Sequence, residues 1–211
     1  MSHPTEGFTN FLKSNTTKRG DEHTHTKIPD KKLNIYPGSF KISDADEKKF
    51  YDKYYKHVFV KNHLEYLTEK QLREDGPIMI DIDFRYPIKI DSKQHTNEHI
   101  IDCIMLYCEK LIELVSIPDD TNIDVFVMEK NNVNKVKEKE ITKDGVHIII
   151  GVSMHKGLQV LLRDKVINEI SNIWEDLPII NSWEEVFDEG IAKGHVNWQM
   201  YGSRKPGNQA Y

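Results

Sequence analysis

Asp81 and Asp83 alternate with aliphatic side chains in Ile78-Met79-Ile80-Asp81-Ile82-Asp83-Phe84. A strand has a period of two, so the spacing predicts both carboxylates on one face and Ile78, Ile80, Ile82 and Phe84 on the other. Neighbouring acidic groups on a half-buried strand repel each other and are costly to desolvate. A divalent cation relieves both penalties, and hard oxygen donors select Mg2+ or Mn2+. The competing reading is a strand end emerging into solvent, where Asp-x-Asp only marks the edge.

Two further clusters carry chemistry. In Lys143-Asp144-Gly145-Val146-His147, alternation places Lys143, Gly145 and His147 on one side, with Val146, Ile148 and Ile150 on the other. A cation, a residue without a side chain and an imidazole in a row suit close approach of a phosphate to the backbone. The alternative is a capped strand with one satisfied histidine. Near the C-terminus Asn197, Gln199 and Tyr201 share a face and lead into Gly202-Ser203-Arg204-Lys205-Pro206-Gly207, a small-residue turn with two cations that suits a polyphosphate tail. Just before it, Phe187-Asp188-Glu189 can supply a third carboxylate, Asp188, with Glu185 and Glu189 as alternatives.

The elements that must position these groups are legible in the periodicity. Residues 78–84, 123–129, 145–151 and 196–201 read as strands. A helix over about 97–116 carries Ile100, Ile104, Cys108, Leu111 and Val115 on one stripe; a second, over about 156–175, carries Leu158, Leu162, Val166, Ile170 and Trp174. The order is β-α-β-β-α-β, the split βαβ arrangement of ferredoxin-like and RNA-recognition-type folds, with one sheet face left free for a site. The expectation is an α+β protein of two interlocked modules: residues 1–75, polar and then helical, and residues 76–211, the catalytic sheet. Within the first, residues 1–30 read as a polar loop, including His23-Thr24-His25. Residues 33–42 are extended, with a turn at Pro37-Gly38. Ser43 and Asp46 form a capping box opening a helix that buries Phe50, Tyr54 and Val58. Thr68 and Gln71 form another before a short helix ending near Asp75. The lysine and aromatic mix of residues 48–56 reads as a solvated helix face, or as a contact for a nucleic-acid backbone.

Composition sets the limits. No apolar run approaches the roughly 20 residues needed to span a bilayer. Cys103 and Cys108, the only cysteines among 211 residues, fall on different sides of the predicted helix, which fits free thiols in a reducing, intracellular compartment. The net charge of −5 gives no global pull toward nucleic acid, so any such binding must use a local basic patch.

These residues resemble the archaeo-eukaryotic primase superfamily, whose motifs are a hydrophobic-Asp-hydrophobic-Asp/Glu strand, a Ser/Gly-x-His strand and a later hydrophobic–Asp segment. Here they read Ile80-Asp81-Ile82-Asp83, Gly145-Val146-His147 and Phe187-Asp188, in order. The likeness is closest to the primase domain of primase-helicases from large DNA viruses of the poxvirus and giant-virus type, and to PrimPol; it covers about residues 21–211. The resemblance implies a primase-polymerase domain that makes primers on single-stranded DNA from nucleoside triphosphates, at a host-cell replication site if viral. It implies Asp81, Asp83 and Asp188 as ligands of Mg2+ or Mn2+. It implies Lys143, Gly145, His147, Ser203, Arg204 and Lys205 at the nucleotide. Gln199 falls where PrimPol-type members carry an arginine, and Ala192 where a tyrosine is expected. No Gly-x-x-x-x-Gly-Lys-Ser/Thr loop occurs, so helicase activity is not in these residues, and the resemblance implies an N-terminal fragment of a longer primase-helicase. A metal-dependent nuclease and a non-catalytic nucleic-acid-binding or docking domain of a replication protein are the other function classes.

Overall fold

The structure, a computed structural model, describes residues 7–18, 20–70, 74–118 and 120–211. The chain divides into two units, Met1–Gln71 with Asn197–Tyr211, and Leu72–Val196.

The first unit begins with helix α1 (Phe8–Ser14), strands β1 (His25–Lys27) and β2 (Gly38–Phe40), helix α2 (Asp44–Tyr55) and strand β3 (Leu67–Glu69). Ser43 caps α2 as expected, its hydroxyl accepting from the Asp46 amide. The last turn of α2 widens into a π-turn at Lys56–Val60. Phe8, Phe11 and Leu12 of α1 pack with Phe50, Tyr54 and Val58 in one core. The stretch expected to be a polar loop therefore contains a helix and a strand. Residues 67–69, expected to open a short helix, form β3, which pairs with β1; Gln71 lies outside the described residues.

The second unit contains β4 (Asp75–Pro87), α3 (Asn97–Leu114), β5 (Val125–Glu129), β6 (Asn134–Val136), β7 (Ile141–His155), α4 (Lys156–Ile173), α5 (Trp183–Val186) and α6 (Glu189–Ala192). The protein is thus α+β, with sheet order β4-β7-β5, β6 also pairing β7, and every pair antiparallel. Alternation works as read. Ile78, Ile80, Ile82, Phe84, Val146, Ile148 and Ile150 are at most 2% exposed and form one core with α3 and α4. The helices present slightly rotated stripes: Cys103 and Tyr107 are buried where Ile104 and Cys108 are only partly so, and Leu158 is 37% exposed.

The last predicted strand does not close this sheet. Residues 198–199 form β8 (Trp198–Gln199), which pairs with β3 in the first unit's sheet, ordered β2-β1-β3-β8. The physical reason is that the outer edge of β4 is already taken. Ile180 N–H donates to the Arg85 carbonyl, the Asn181 amide bonds both Asp83 O (2.9 Å) and Arg85 N–H (3.0 Å), and Phe187 bridges Ile82. An irregular segment covers the edge where the fourth strand of a split βαβ unit was expected.

The register of β4 on β7 shifts at a bulge between Pro77 and Ile78. Gln159 of α4, 2% exposed, serves that bulge: Nε2 donates to the carbonyls of Gly76, Pro77 and Met154, and Oε1 accepts from Met79 N–H. Gln159→Leu keeps the volume but strands these groups in the core. It should lower unfolding stability by about 2–3 kcal/mol, read as a reduced urea midpoint.

Candidate functional site

The site is built on the face of the second unit's sheet that α3 and α4 leave uncovered. Cross-strand register places Asp81 opposite His147, Asp83 opposite Gly145 and Arg85 opposite Lys143. Two sequence motifs 60 or more residues apart thus become directly facing pairs. His147 Nε2 lies 3.4 Å from Asp81 Oδ1. Burial pushes the imidazole below its ordinary value, and the nearby Asp81 carboxylate opposes that shift less strongly. Burial thus favours the uncharged ring. Gly145 leaves the strand surface beside Asp83 without a side chain, and its amide is fixed by the Asp144 carboxylate at 2.9 Å. Lys143 is half-buried beside them.

Asp188, the candidate third carboxylate, is placed by the backbone. Asp188 N–H donates to Asp81 O at 3.0 Å, so Asp188 stands next to Asp81 across the edge of β4. Its Oδ1 accepts from Gly190 N–H at 2.8 Å, capping α6. The two alternatives are engaged elsewhere: Glu185 binds Arg85 at 2.8 Å and Glu189 binds Lys193 at 2.6 Å. Arg85 is thereby held by an acid of its own unit.

Three supporting residues were not legible as functional. Arg163 of α4 is 6% exposed; its Nε and Nη2 both donate to Phe187 O, at 2.8 and 2.7 Å, and Nη2 also reaches Glu184 O. Phe187 itself is buried against Trp174, ring centroids 5.8 Å apart. Core aromatic and buried guanidinium together fix the peptide that carries Asp188. Asn181 does the same for Asp83 through its backbone. Gln159 holds the strand upstream. The signal in the sequence was polar residues at four-residue spacing, Gln159 and Arg163, beside the apolar stripe of α4.

The remaining sequence-predicted residues lie in the first unit. Gln199 sits in β8 and donates to Ser203 O at 2.7 Å. The Ser203 hydroxyl is engaged with Tyr54 Oη and Leu67 N–H. Arg204 N–H donates to Glu65 O, and Lys205 is exposed.

The donor set on the sheet face is one of hard oxygens. Among the described residues no three His, Cys, Asp or Glu side chains form a cage able to hold a metal ion, so Asp188 does not complete a three-ligand set with Asp81 and Asp83. Magnesium asks for no such cage, since it is commonly held by one or two carboxylates with water and substrate phosphates completing its shell. Asp81 and Asp83 fit that requirement.

Residues 29–211 match the family described as the C962R protein N-terminal AEP domain, AEP standing for archaeo-eukaryotic primase. The chain belongs to this family. It is also 29% identical over 174 residues to a protein of Acanthamoeba polyphaga mimivirus whose name is that of a helicase, covering 81% of this chain and 18% of that protein. The chain thus spans under a fifth of the relative it matches. No helix among the described residues of this archaeo-eukaryotic primase domain is long and apolar enough to cross a membrane. Cys103 and Cys108 are both free thiols.

Proposed function

We propose that the sheet face opposite α3 and α4 is a nucleotidyl-transfer site for template-directed primer synthesis on single-stranded DNA, with Asp81 and Asp83 as the principal ligands of Mg2+ or Mn2+ and Asp188 as the third carboxylate. The observation that carries this reading is the cross-strand register, which sets Asp81 against His147 and Asp83 against Gly145. When bound, the divalent ions supply activation of the attacking 3′ hydroxyl and charge neutralisation at the leaving pyrophosphate. The chain's own residues orient and neutralise. Lys143 contributes a compact positive charge on the same face, suited to a phosphate. Gly145 allows a phosphate to approach the backbone, and the neutral His147 offers a hydrogen bond without adding a competing charge. Little acid–base work falls to side chains, since positioning and electrostatics lower the barrier. The roles of Gln199, Ser203, Arg204 and Lys205 rest on the composition of that turn and on the sequence resemblance. By the same likeness, a helicase segment in a longer chain is the expected partner of this domain.

The test separates this site from a hydrolytic one. A nucleoside triphosphate at about a hundred times its dissociation constant should stabilise the protein by about 2.7 kcal/mol in the presence of magnesium or manganese, and not in EDTA. Thermal unfolding reads the shift. A shift independent of metal, or none with either ion, would overturn the assignment.

A further inference from the structure

Helix α2 carries a second feature that catalysis does not use. A groove of about 620 Å3 between α1 and α2 is lined, among the described residues, by Lys48, Lys49, Lys53, Lys56 and Lys61 against a single carboxylate, Asp52. Such a concentration is unexpected in a chain of net charge −5. The ammonium of Lys49 rests over the Phe11 ring at 5.2 Å. Lys48, Lys56 and Lys61 enter no ion pair with the described residues. The acids of the first helical turn, Asp44, Asp46 and Glu47, lie outside the groove.

Beside the lysines runs an exposed aromatic stack. Tyr55 stacks on Phe59 at 5.7 Å and 28°, and Phe59 on Tyr201 at 5.5 Å and 22°. Their exposures are 59, 39 and 57%, well above what three adjacent aromatic rings keep when they serve a core. Two backbone features hold the stack. The π-turn at Lys56–Val60 widens the helix so that residues four apart lie nearly in line. Gly202 has φ of +83°, and a Cβ there would meet Phe59 Cζ at 2.5 Å, so the ring can lie against this turn only because residue 202 is glycine.

We infer that this surface binds single-stranded nucleic acid, the lysine groove following the phosphates and the Tyr55–Phe59–Tyr201 stack receiving unpaired bases. Both halves are needed for that ligand. A basic groove alone serves any polyanion, whereas stacking platforms require bases free of a partner strand. The inference goes beyond the nucleotidyl-transfer reading, because it requires neither metal nor nucleotide and uses none of Asp81, Asp83 or Asp188.

The experiment is fluorescence anisotropy of a labelled oligo-dT of about 20 nucleotides with the full chain in EDTA. Affinity should fall with salt, by about 0.7 log units per log unit of salt for each phosphate neutralised. Lys48→Glu with Lys56→Glu should weaken binding at least tenfold and reduce the salt slope by about 1.4. Tyr55→Ala with Tyr201→Ala should weaken oligo-dT binding about tenfold while leaving binding of inorganic polyphosphate unchanged. All four positions are exposed, and thermal melting would verify that the variants fold. An Asp81→Ala, Asp83→Ala variant should bind as the parent does, so failure of the catalytic reading would leave this one standing. Equal oligo-dT affinity in parent and lysine variant would overturn the inference, as would a tyrosine variant that binds like the parent.

Discussion

Replacing Asp81 and Asp83 together by alanine should lower metal-dependent primer synthesis by at least about a thousandfold while leaving the fold intact. A loss of that size corresponds to about 4 kcal/mol of transition-state stabilisation, within the several kcal/mol that a bound ion contributes to a reaction developing charge on phosphate oxygens. The fold should tolerate the change because neither carboxylate belongs to the core. The buried face of β4 is Ile78, Ile80, Ile82, Phe84 and Tyr86, all at most 2% exposed, and it is untouched. Removing two neighbouring acids also relieves their mutual repulsion, so the unfolding free energy should stay within about 1 kcal/mol of the parent. Labelled primer products on single-stranded DNA, with denaturant unfolding beside them, read both quantities. Undiminished synthesis by the double variant would sink the assignment. Shortened template in place of primers would point to phosphodiester hydrolysis at the same carboxylates.

The parts of this protein visible in its sequence are those set by periodicity over a long span. The 13 residues of β4 and 15 of β7 alternate strictly enough to declare which side chains share a face, and both motif clusters sit within them. Their pairing was not readable, because register depends on where the bulge at Pro77/Ile78 falls and on Gln159, a side chain 80 residues away in sequence. Short elements escaped altogether. The seven residues of α1 and three of β1 are too brief for a periodic signal, and their stability comes from Phe8 and Phe11 packing on Phe50. The strand at 198–199 was recognised but given to the wrong sheet. Alternation identifies a strand without naming its neighbour, and the edge of β4 had been taken by an irregular run around Asn181 that carries no pattern.

The site shows the same division. Asp81, Asp83, Gly145 and His147 stand on regular strands, so spacing alone brought them to one face. Asp188 stands on a loop and is placed by hydrogen bonds, which spacing does not reveal. Its position depends on the Phe187 anchor and on the guanidinium that grips the Phe187 carbonyl.

That dependence makes Arg163 the position where a single substitution far from the carboxylates should cost most. Arg163→Ala removes a nearly buried fork and strands the carbonyls of Phe187 and Glu184, which then lack a donor. It also opens a void beside Tyr107 and Phe187. The expected destabilisation is about 3–5 kcal/mol, comparable with breaking a buried charged network. Arg163→Lys separates positioning from stability. A lysine keeps the charge and supplies a point donor, but not the paired Nε and Nη2 contacts to one carbonyl. It should recover more than half of the lost stability while leaving the Phe187–Asp188 peptide loosely held. If Asp188 serves the metal with Asp81 and Asp83, the Lys variant should require a higher magnesium concentration for half-maximal primer synthesis, with a smaller change in maximal rate. A purely structural Arg163 would instead give a Lys variant with the parent's metal requirement and only a reduced urea midpoint. Metal titration and denaturation on the same preparations decide between the two.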